Sequence, residues 1–366
     1  MTPSSPPVSR PESGPESRLA SPTDPLWITE AEVVAALSLP DAIVALERGL
    51  AWEGAGQAEN LAKTHVIWNG HNTLHALGAV VAKAGDGGGM VGVKSWAHTD
   101  GGATPLLTLW DGADGRLLAV IEAFALGQMR TGGIAGVATR RLAQPGADEL
   151  AVIGSGRQAL AQVAAVAAVR RLRRVRVFSP TPENRRAFVG ELAALLPALA
   201  VEAADTVERA VAGAPIVTLV TRARSPFLTA AMLAPGTHVN AVGAITPERR
   251  EFTQDVFART TTIAVDSLAS VQALSAEFRE RFAADWAAGD GAAVRPLSEL
   301  VVRDAARAPD ADLTLFKAMG MGLSDLALGI EILDRVRRAG GGRPMSQPQR
   351  AKPRLVSTTQ TRAYAS

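Results

Sequence analysis

The sequence predicts an α/β protein in which a Rossmann-like, doubly wound parallel sheet is joined to a mixed, mostly antiparallel domain. Three observations point there. From Glu149 onward, short apolar strands alternate with helical segments at the spacing of βαβ units. The first of those strands runs directly into Gly154-Ser155-Gly156. Ahead of it, between Thr64 and Glu122, a series of β-type runs is separated by glycine-rich turns instead of helices.

Taken in order, residues 1–24 are rich in Pro and Ser, mix both charge signs and lack the basic-then-apolar order of a secretory signal, so they read as a disordered tail. Thr29-Glu30-Ala31-Glu32 has capping-box spacing and opens a short helix. Ser38-Leu39-Pro40-Asp41 opens a second, with Ile43, Val44, Leu46 and Leu50 as its apolar stripe. On this reading two helices precede the first strand. Strands follow at 65–68, 73–83, 91–96, 105–110 and 116–122, and Asp111-Gly112-Ala113-Asp114-Gly115 forms a hairpin loop. A helix spans about 125–142. The parallel regime then begins: strand 150–153, helix 159–169, strand 175–178, helix 183–195, strand 199–203, helix 206–213, and strands 215–220, 238–243 and 261–266. A last amphipathic helix at about 322–338, with Leu323, Leu326, Ile330, Leu333 and Val336 inward, is expected to return to the first domain. The domains are therefore 25–144 with 316–338, and 145–315, followed by a disordered basic tail at 339–366.

Composition narrows the function classes. Hydrophobic residues make up 47% and charged residues 20% of 366, and no apolar run approaches the ~18 residues of a membrane helix, which argues for a soluble globular protein. No cysteine is present, so disulfides, thiolate metal sites and a cysteine nucleophile are excluded and a reducing, cytoplasmic setting fits. Beyond Asp334 the chain carries Arg335, Arg337, Arg338, Arg343, Arg350, Lys352, Arg354 and Arg362 without an acid. Lacking interleaved aromatics apart from Tyr364 and rich in Pro, Gly and Gln, that tail reads as solvated, with neither nucleic acid nor membrane as partner. His71 and His75 are four apart in a turn and strand, where that spacing does not converge, so no metal site is expected.

The glycine loop carries the cofactor argument. Pyrophosphate oxygens sit on backbone N–H groups at a helix N-terminus, where a Cβ would intrude, so glycines are needed between strand and helix. Gly154, Ser155, Gly156, Arg157 and Gln158 meet that need, and Ala159 stands for the third glycine of the fingerprint. The adenosine ribose should meet the end of the next strand, where NAD enzymes place an acid. Ser179 stands there, with Thr181 and Arg185 close behind. A hydroxyl and a cation suit a 2′-phosphate, so NADP(H) is favoured over NAD(H); the alternative for Arg185 is a plain solvent-facing helix position.

Several segments resemble the ornithine cyclodeaminase and mu-crystallin family, in the family's order: Gly92-Val93-Lys94, Met129-Arg130-Thr131-Gly132-Gly133, the loop from Gly154 to Ala159, Asn240-Ala241-Val242-Gly243-Ala244, and Leu315-Phe316-Lys317-Ala318-Met319-Gly320 followed by Asp325. The resemblance runs from about 28 to 338. It implies a homodimer whose first domain supplies the dimer contact and much of the substrate site, with a small α-amino or α-imino acid held against a nicotinamide. Thr131, Thr221 and Val242 join the expected cofactor contacts. Arg130 is the expected clamp for the substrate carboxylate, since a guanidinium fork binds both oxygens and a helix N-terminus favours anions. Lys94 would donate to the carboxylate or the reacting nitrogen, strand alternation placing it on one face with Trp96; its alternative is to snorkel to solvent. The family's second substrate-binding arginine appears as Lys63, which keeps the charge and loses the fork.

One departure bears on the reaction. Where ornithine cyclodeaminases carry an aspartate after the Val-Gly-small segment, this chain has Ile245, which accepts no proton and pairs with no ammonium. The expectation is an NAD(P)H-dependent reductase of imino acids, of ketimine reductase or amino-acid dehydrogenase type. Two alternatives stand beside it: ornithine cyclodeaminase, forming proline and ammonia, and a non-catalytic cofactor- or small-molecule-binding protein.

Overall fold

The computed structural model describes residues 24–83 and 88–355. The expected N-terminal tail lies outside the described residues apart from Asp24, as does the end of the basic tail at 356–366.

A short strand, β1 (Leu26–Ile28), precedes α1 (Glu30–Ala36) and α2 (Leu39–Gly54). This corrects the expected order, because three residues are too few to show an alternation in sequence. Both helices start where expected, each with a full capping box, Thr29 with Glu32 and Ser38 with Asp41. In α2, Ile43, Leu46 and Leu50 are fully buried, but Val44 faces outward at 58% exposure and leaves the expected stripe. Next come β2 (Ala58–Asn60), β3 (Thr64–Trp68), β4 (Asn72–Val81), β5 (Met90–Thr99), β6 (Gly102–Ala103), β7 (Leu106–Asp111) and β8 (Leu117–Glu122), then α3 (Phe124–Leu142).

The second half contains β9 (Glu149–Ile153), α4 (Ala159–Val169), β10 (Arg174–Phe178), α5 (Pro182–Leu195), β11 (Ala200–Ala203), α6 (Val207–Val211), β12 (Ile216–Leu219) and β13 (His238–Ala241). It continues with α7 (Asp255–Arg259), β14 (Thr260–Val265), α8 (Leu268–Leu274), α9 (Ala276–Ala287), β15 (Val294–Pro296), α10 (Leu297–Val302) and β16 (Leu313–Lys317). The last elements among the described residues are α11 (Gly322–Arg338) and β17 (Arg343–Pro344).

Among the described residues, nine strands form a mixed sheet whose main path runs β17-β1-β8-β7-β5-β4-β2, with β3 on β4 and β6 on β5. Every pairing in it is antiparallel except β1 with β8. Eight further strands, in the order β11-β10-β9-β12-β13-β16-β14-β15, form a wholly parallel sheet. Strand order reverses between β9 and β12, and open α/β sheets bind ligands at the carboxyl ends of strands flanking such a reversal.

One core joins α1, α2, α3 and α11 to the mixed sheet through Leu46, Leu107, Leu109, Ile121, Leu126 and Leu326. The parallel sheet has a core on each face. One holds Val163, Val166, Phe188 and Leu192; the other holds Phe252, Phe257, Phe278 and Phe282 in largely edge-to-face contact. Three helices, α8, α9 and α10, were not expected between 266 and 313. The strand β16 spans the boundary expected at 315/316 and lies wholly in the parallel sheet, while α11 packs on the mixed sheet as expected. The described part of the basic tail is not featureless: β17 pairs with β1, Met345 N–H donates to Pro25 O, and Gln347 reaches Leu117 O.

Candidate active site

Two of the expected cationic residues, Lys94 and Arg130, come from distant parts of the chain and meet on one carboxylate. Lys94 on β5 is 3% exposed, and its ammonium donates to Asp325 Oδ1 at 2.5 Å. It does not snorkel. Trp96 lies on the same face, with Lys94 Nζ 5.2 Å from its ring centroid. Arg130 Nε stands 3.3 Å from the same Asp325 oxygen, and Asp325 Oδ2 is buried without a hydrogen-bond partner. Burial pushes the Lys94 pKa down to about 8; Asp325 pulls it up and Arg130 pushes it further down.

Arg130 is the seventh residue of α3, not near its start. A helix dipole acts mainly within the first turn, so it contributes little at the guanidinium. That N-terminus is already covered: the Glu30 carboxylate accepts the N–H groups of Phe124 and Ala125. Farther along α3, Gln162 of α4 donates to Thr131 O at 2.9 Å, so the helix that carries Arg130 rests on the helix that follows the glycine loop.

Lys63 sits in the β2–β3 connection. Burial, then Arg130, push its pKa down, while Asp266 and Asp325 pull it up, which places it in the same electrostatic pocket. Asp266, at the end of β14, accepts the N–H groups of Met319 and Gly320. Burial holds its carboxyl above the usual range. Asn60 ties the entry to α11 in place, accepting Leu323 N–H at 2.8 Å and donating to Glu53. The wall beside Lys94 is aromatic: His75 stacks on Trp96 at 4.6 Å and on His65 at 5.7 Å. Burial, and Lys63 nearby, hold His75 down at about 4, so it is neutral at pH 7. His71 pairs with Asp100 and turns away from His75, whose Nε2 meets the Thr73 hydroxyl.

The glycine loop follows β9 directly. Gly154 has φ +119, and an added Cβ would lie 2.6 Å from Val220 O, so only glycine fits where β9 and β12 abut. An added Cβ at Gly156 meets nothing within 4 Å, and Arg157 is exposed. The N-terminus of α4 has no side-chain cap, and Gln158 Oε1 is buried without a partner. Free N–H groups behind an open glycine turn fit a dinucleotide pyrophosphate.

At the end of β10, Ser179 is buried and Thr181 is exposed with its hydroxyl making no cap bond to α5. Arg185 does not face solvent: it donates to Ser179 O at 3.0 Å and to Asp205 at 3.2 Å, packed against Phe178. Its charge braces the Ser179 turn. At the other side of the strand reversal, Val242 is buried in the core shared with α3, and Thr221 gives both its N–H and hydroxyl to Glu251. Ile245 is half-buried against the phenylalanine-rich core.

Sequence reasoning did not give Asp325 or Asp266 a role in the site. Asp325 stands in the first turn of α11, where an acid is explained by the helix dipole alone. The missing signal was tertiary, since Lys94 and Asp325 are 231 residues apart.

Fold and side-chain geometry together define an α/β protein with a glycine turn at a parallel-strand reversal and a buried cluster of Lys94, Arg130 and Asp325. The chain belongs to the ornithine cyclodeaminase/mu-crystallin family, whose sequence profile matches residues 24–340. It is 31% identical over 230 residues to the ketimine reductase mu-crystallin of Mus musculus, covering 62% of this chain and 67% of that protein. It is 30% identical to the iminosuccinate reductase of Paracoccus denitrificans over 63% of this chain and 70% of that protein. Among solved structures, the iminosuccinate reductase of Paracoccus denitrificans in complex with NAD+ superimposes with a TM-score of 0.78 at 25% identity, over 89% of this chain and 99% of that one. The Thermococcus litoralis Delta(1)-pyrroline-2-carboxylate reductase, in complex with NADH and L-proline, shares the fold at TM-score 0.78 and 23% identity, over 87% of this chain and all of that one.

Proposed function

We propose that this protein is an NAD(P)H-dependent reductase of small imino acids, working in the cytoplasm. The observation that carries the reading is the pair of cations, Lys94 and Arg130, held on one buried carboxylate beside an open glycine loop. Imine reduction needs an anchor for the α-carboxylate, a proton for nitrogen and a hydride. Arg130 and Lys63 anchor the carboxylate, the guanidinium through its fork and the lysine as a point charge. Lys94, with a pKa near 8, gives its proton to the substrate nitrogen and regains one afterwards. Asp325 holds the ammonium in place, and the His75–Trp96 wall limits water. A nicotinamide bound at the carboxyl ends of β9, β12 and β13 supplies the hydride.

Relatives named as ketimine, pyrroline-2-carboxylate and iminosuccinate reductases support the same class. Ile245, apolar and packed into the core, speaks against the second ammonium of ornithine, since burying it unpaired costs several kcal/mol. The deciding experiment follows NADPH and NADH oxidation with pyrroline-2-carboxylate, piperideine-2-carboxylate, and 2-oxo acids with ammonia or methylamine. Stoichiometric cofactor consumption is expected, with negligible proline from ornithine. Ammonia release from ornithine at a comparable rate, without net cofactor change, restores the cyclodeaminase reading, and cofactor binding without turnover on the whole panel restores the binding protein.

NADP(H) is the proposed cofactor. Ser179 and Thr181 offer hydroxyls where an acid would repel a 2′-phosphate, and exposed Arg157 supplies a cation that Arg185, engaged with Asp205, does not. Ser179→Asp should shift preference toward NADH; unchanged preference, or wild-type preference for NADH by tenfold or more, rejects this. The proposed assembly is a homodimer through the face of β3 and β4 on which Val66 and Leu74, opposite each other in register, are both exposed. Light scattering of wild type and Val66→Glu tests it.

A further inference from the structure

We infer that Glu251, backed by Lys317 and Glu277, is a positioning residue that fixes the nicotinamide half of the cofactor site. The inference rests on the cofactor reading above and concerns only one end of that cleft.

The geometry is a four-point staple. Glu251 Oε1 accepts Thr221 N–H at 2.7 Å and the Thr221 hydroxyl at 2.8 Å, and Oε2 accepts the N–H groups of Gly243 and Ala244, each at 3.0 Å. Thr221 lies just past β12 and Gly243–Ala244 just past β13, so one carboxylate ties the carboxyl ends of two neighbouring parallel strands. The approach is close: an added Cβ at Gly243 would lie 2.3 Å from both Thr221 N and Thr221 O. Glu251 is fully buried, and all four of its partners donate. Beneath it, Lys317 is also fully buried, donating to Ala244 O at 2.6 Å with Glu277 4.0 Å away. Glu277 in turn accepts Glu251 N–H and the Ser275 hydroxyl. Two strand ends, a loop and α9 thus share one buried ionic group.

A pure packing role does not need this. Burying three charged side chains is costly, and apolar residues of similar size would stabilise as well. What the charges add is a fixed register between the β12 and β13 ends. The glycine loop and Ser179 take the pyrophosphate and adenosine half on the β9–β10 side, which leaves the β12–β13 side for the nicotinamide. The N–H groups that Glu251 satisfies are therefore withheld from the cofactor. Ile245 follows directly, so the staple also sets where that residue meets substrate.

Glu251→Gln is the test, because its amide places N–H donors against Thr221 or against the Gly243–Ala244 pair, where donors already point. Full-length wild type and variant are titrated with NADPH and NADH and, separately, with ADP-ribose and 2′-phospho-ADP-ribose, which lack the nicotinamide, with melting curves for each. Expected is a loss of about tenfold or more in dinucleotide affinity with ADP-ribose affinities unchanged within about twofold, and a fall in kcat larger than the rise in KM for the imino acid. Equal losses for both ligand types, or an unchanged dinucleotide affinity, overturn the inference. If wild type binds neither ligand, the cofactor reading itself falls and this inference with it. Should Glu251→Gln not fold, Glu277→Gln, whose amide oxygen still accepts Glu251 N–H, is expected to show the same selective loss in smaller measure; a non-selective loss overturns the inference there too.

Discussion

Lys94 and Arg130 share a single oxygen of Asp325, so their contributions are coupled and each needs its own readout. Arg130→Ala is expected to lower kcat/KM by the equivalent of about 3–5 kcal/mol, the usual effect of stripping one partner from a desolvated ion pair, with Arg130→Lys recovering part. Unchanged kcat/KM would remove Arg130 from the site. The lysine is read through pH. With Lys94 near 8, reductive kcat/KM should fall above pH 8 as the ammonium is lost, and the oxidative direction should rise over the same interval. Asp325 raises that pKa, so Asp325→Asn should move both limbs to lower pH. A profile that ignores Asp325→Asn would mean that Lys94 does not carry the proton.

At the scale of elements, α3 is held at both ends by groups from elsewhere. Glu30 covers its N-terminus, and at its C-terminus Arg170 donates to the carbonyls of Thr139, Arg140, Ala143 and Gln144. Arg170→Met should destabilise by roughly 2–3 kcal/mol, as loss of several charge-assisted bonds to a helix end does, readable as a drop in denaturant midpoint with unchanged slope. Arg170 stands near Arg171, Arg173, Arg174 and Arg176, and nothing local marks one of them as a helix cap. The legible elements were those with periodic or capping signals: α1, α2, α11, the glycine loop and the β9–β13 alternation. The short strands β1 and β17 lack such signals, the helices α9 and α10 have no side-chain cap bond, and all four are fixed by packing, whereas α8 is capped by Ser267 and was not singled out. In the site, Lys94, Arg130 and Lys63 were singled out because they stand in segments that resemble those of the family. Asp325, Asp266 and Glu251 were not, since an acid at a helix start or in a loop reads as ordinary polarity until its distant partner is seen.

Across the whole molecule, a buried polar chain links the parallel sheet to α3. His238 on β13 meets Thr314 of β16 at 3.0 Å and Asn240 at 3.1 Å, and Asn240 donates to Thr139 of α3. Complete burial holds His238 down at about 3, with Arg307 and Arg170 also disfavouring its charge. Its folded pKa lies below the unfolded value of about 6.5, so its contribution is fully present above pH 6.5 and is lost as pH falls toward 3. Melting temperature should therefore drop through this window, and His238→Gln should flatten that slope; an equal slope in the variant would assign it to other groups. The linkage and the path of the chain also constrain how the protein comes off the ribosome. Every strand of the parallel sheet lies between residues 149 and 317, so that sheet is complete in one uninterrupted stretch of synthesis. The mixed sheet begins near residue 26 yet lacks its covering helix, its last edge strand and the partner of Lys94 until residues 322–344 emerge. The half that is made first is thus finished last, and pulse-labelled hydrogen exchange during refolding should protect β9–β13 before β4–β7. Until that final helix docks, the cleft exists without its chemistry.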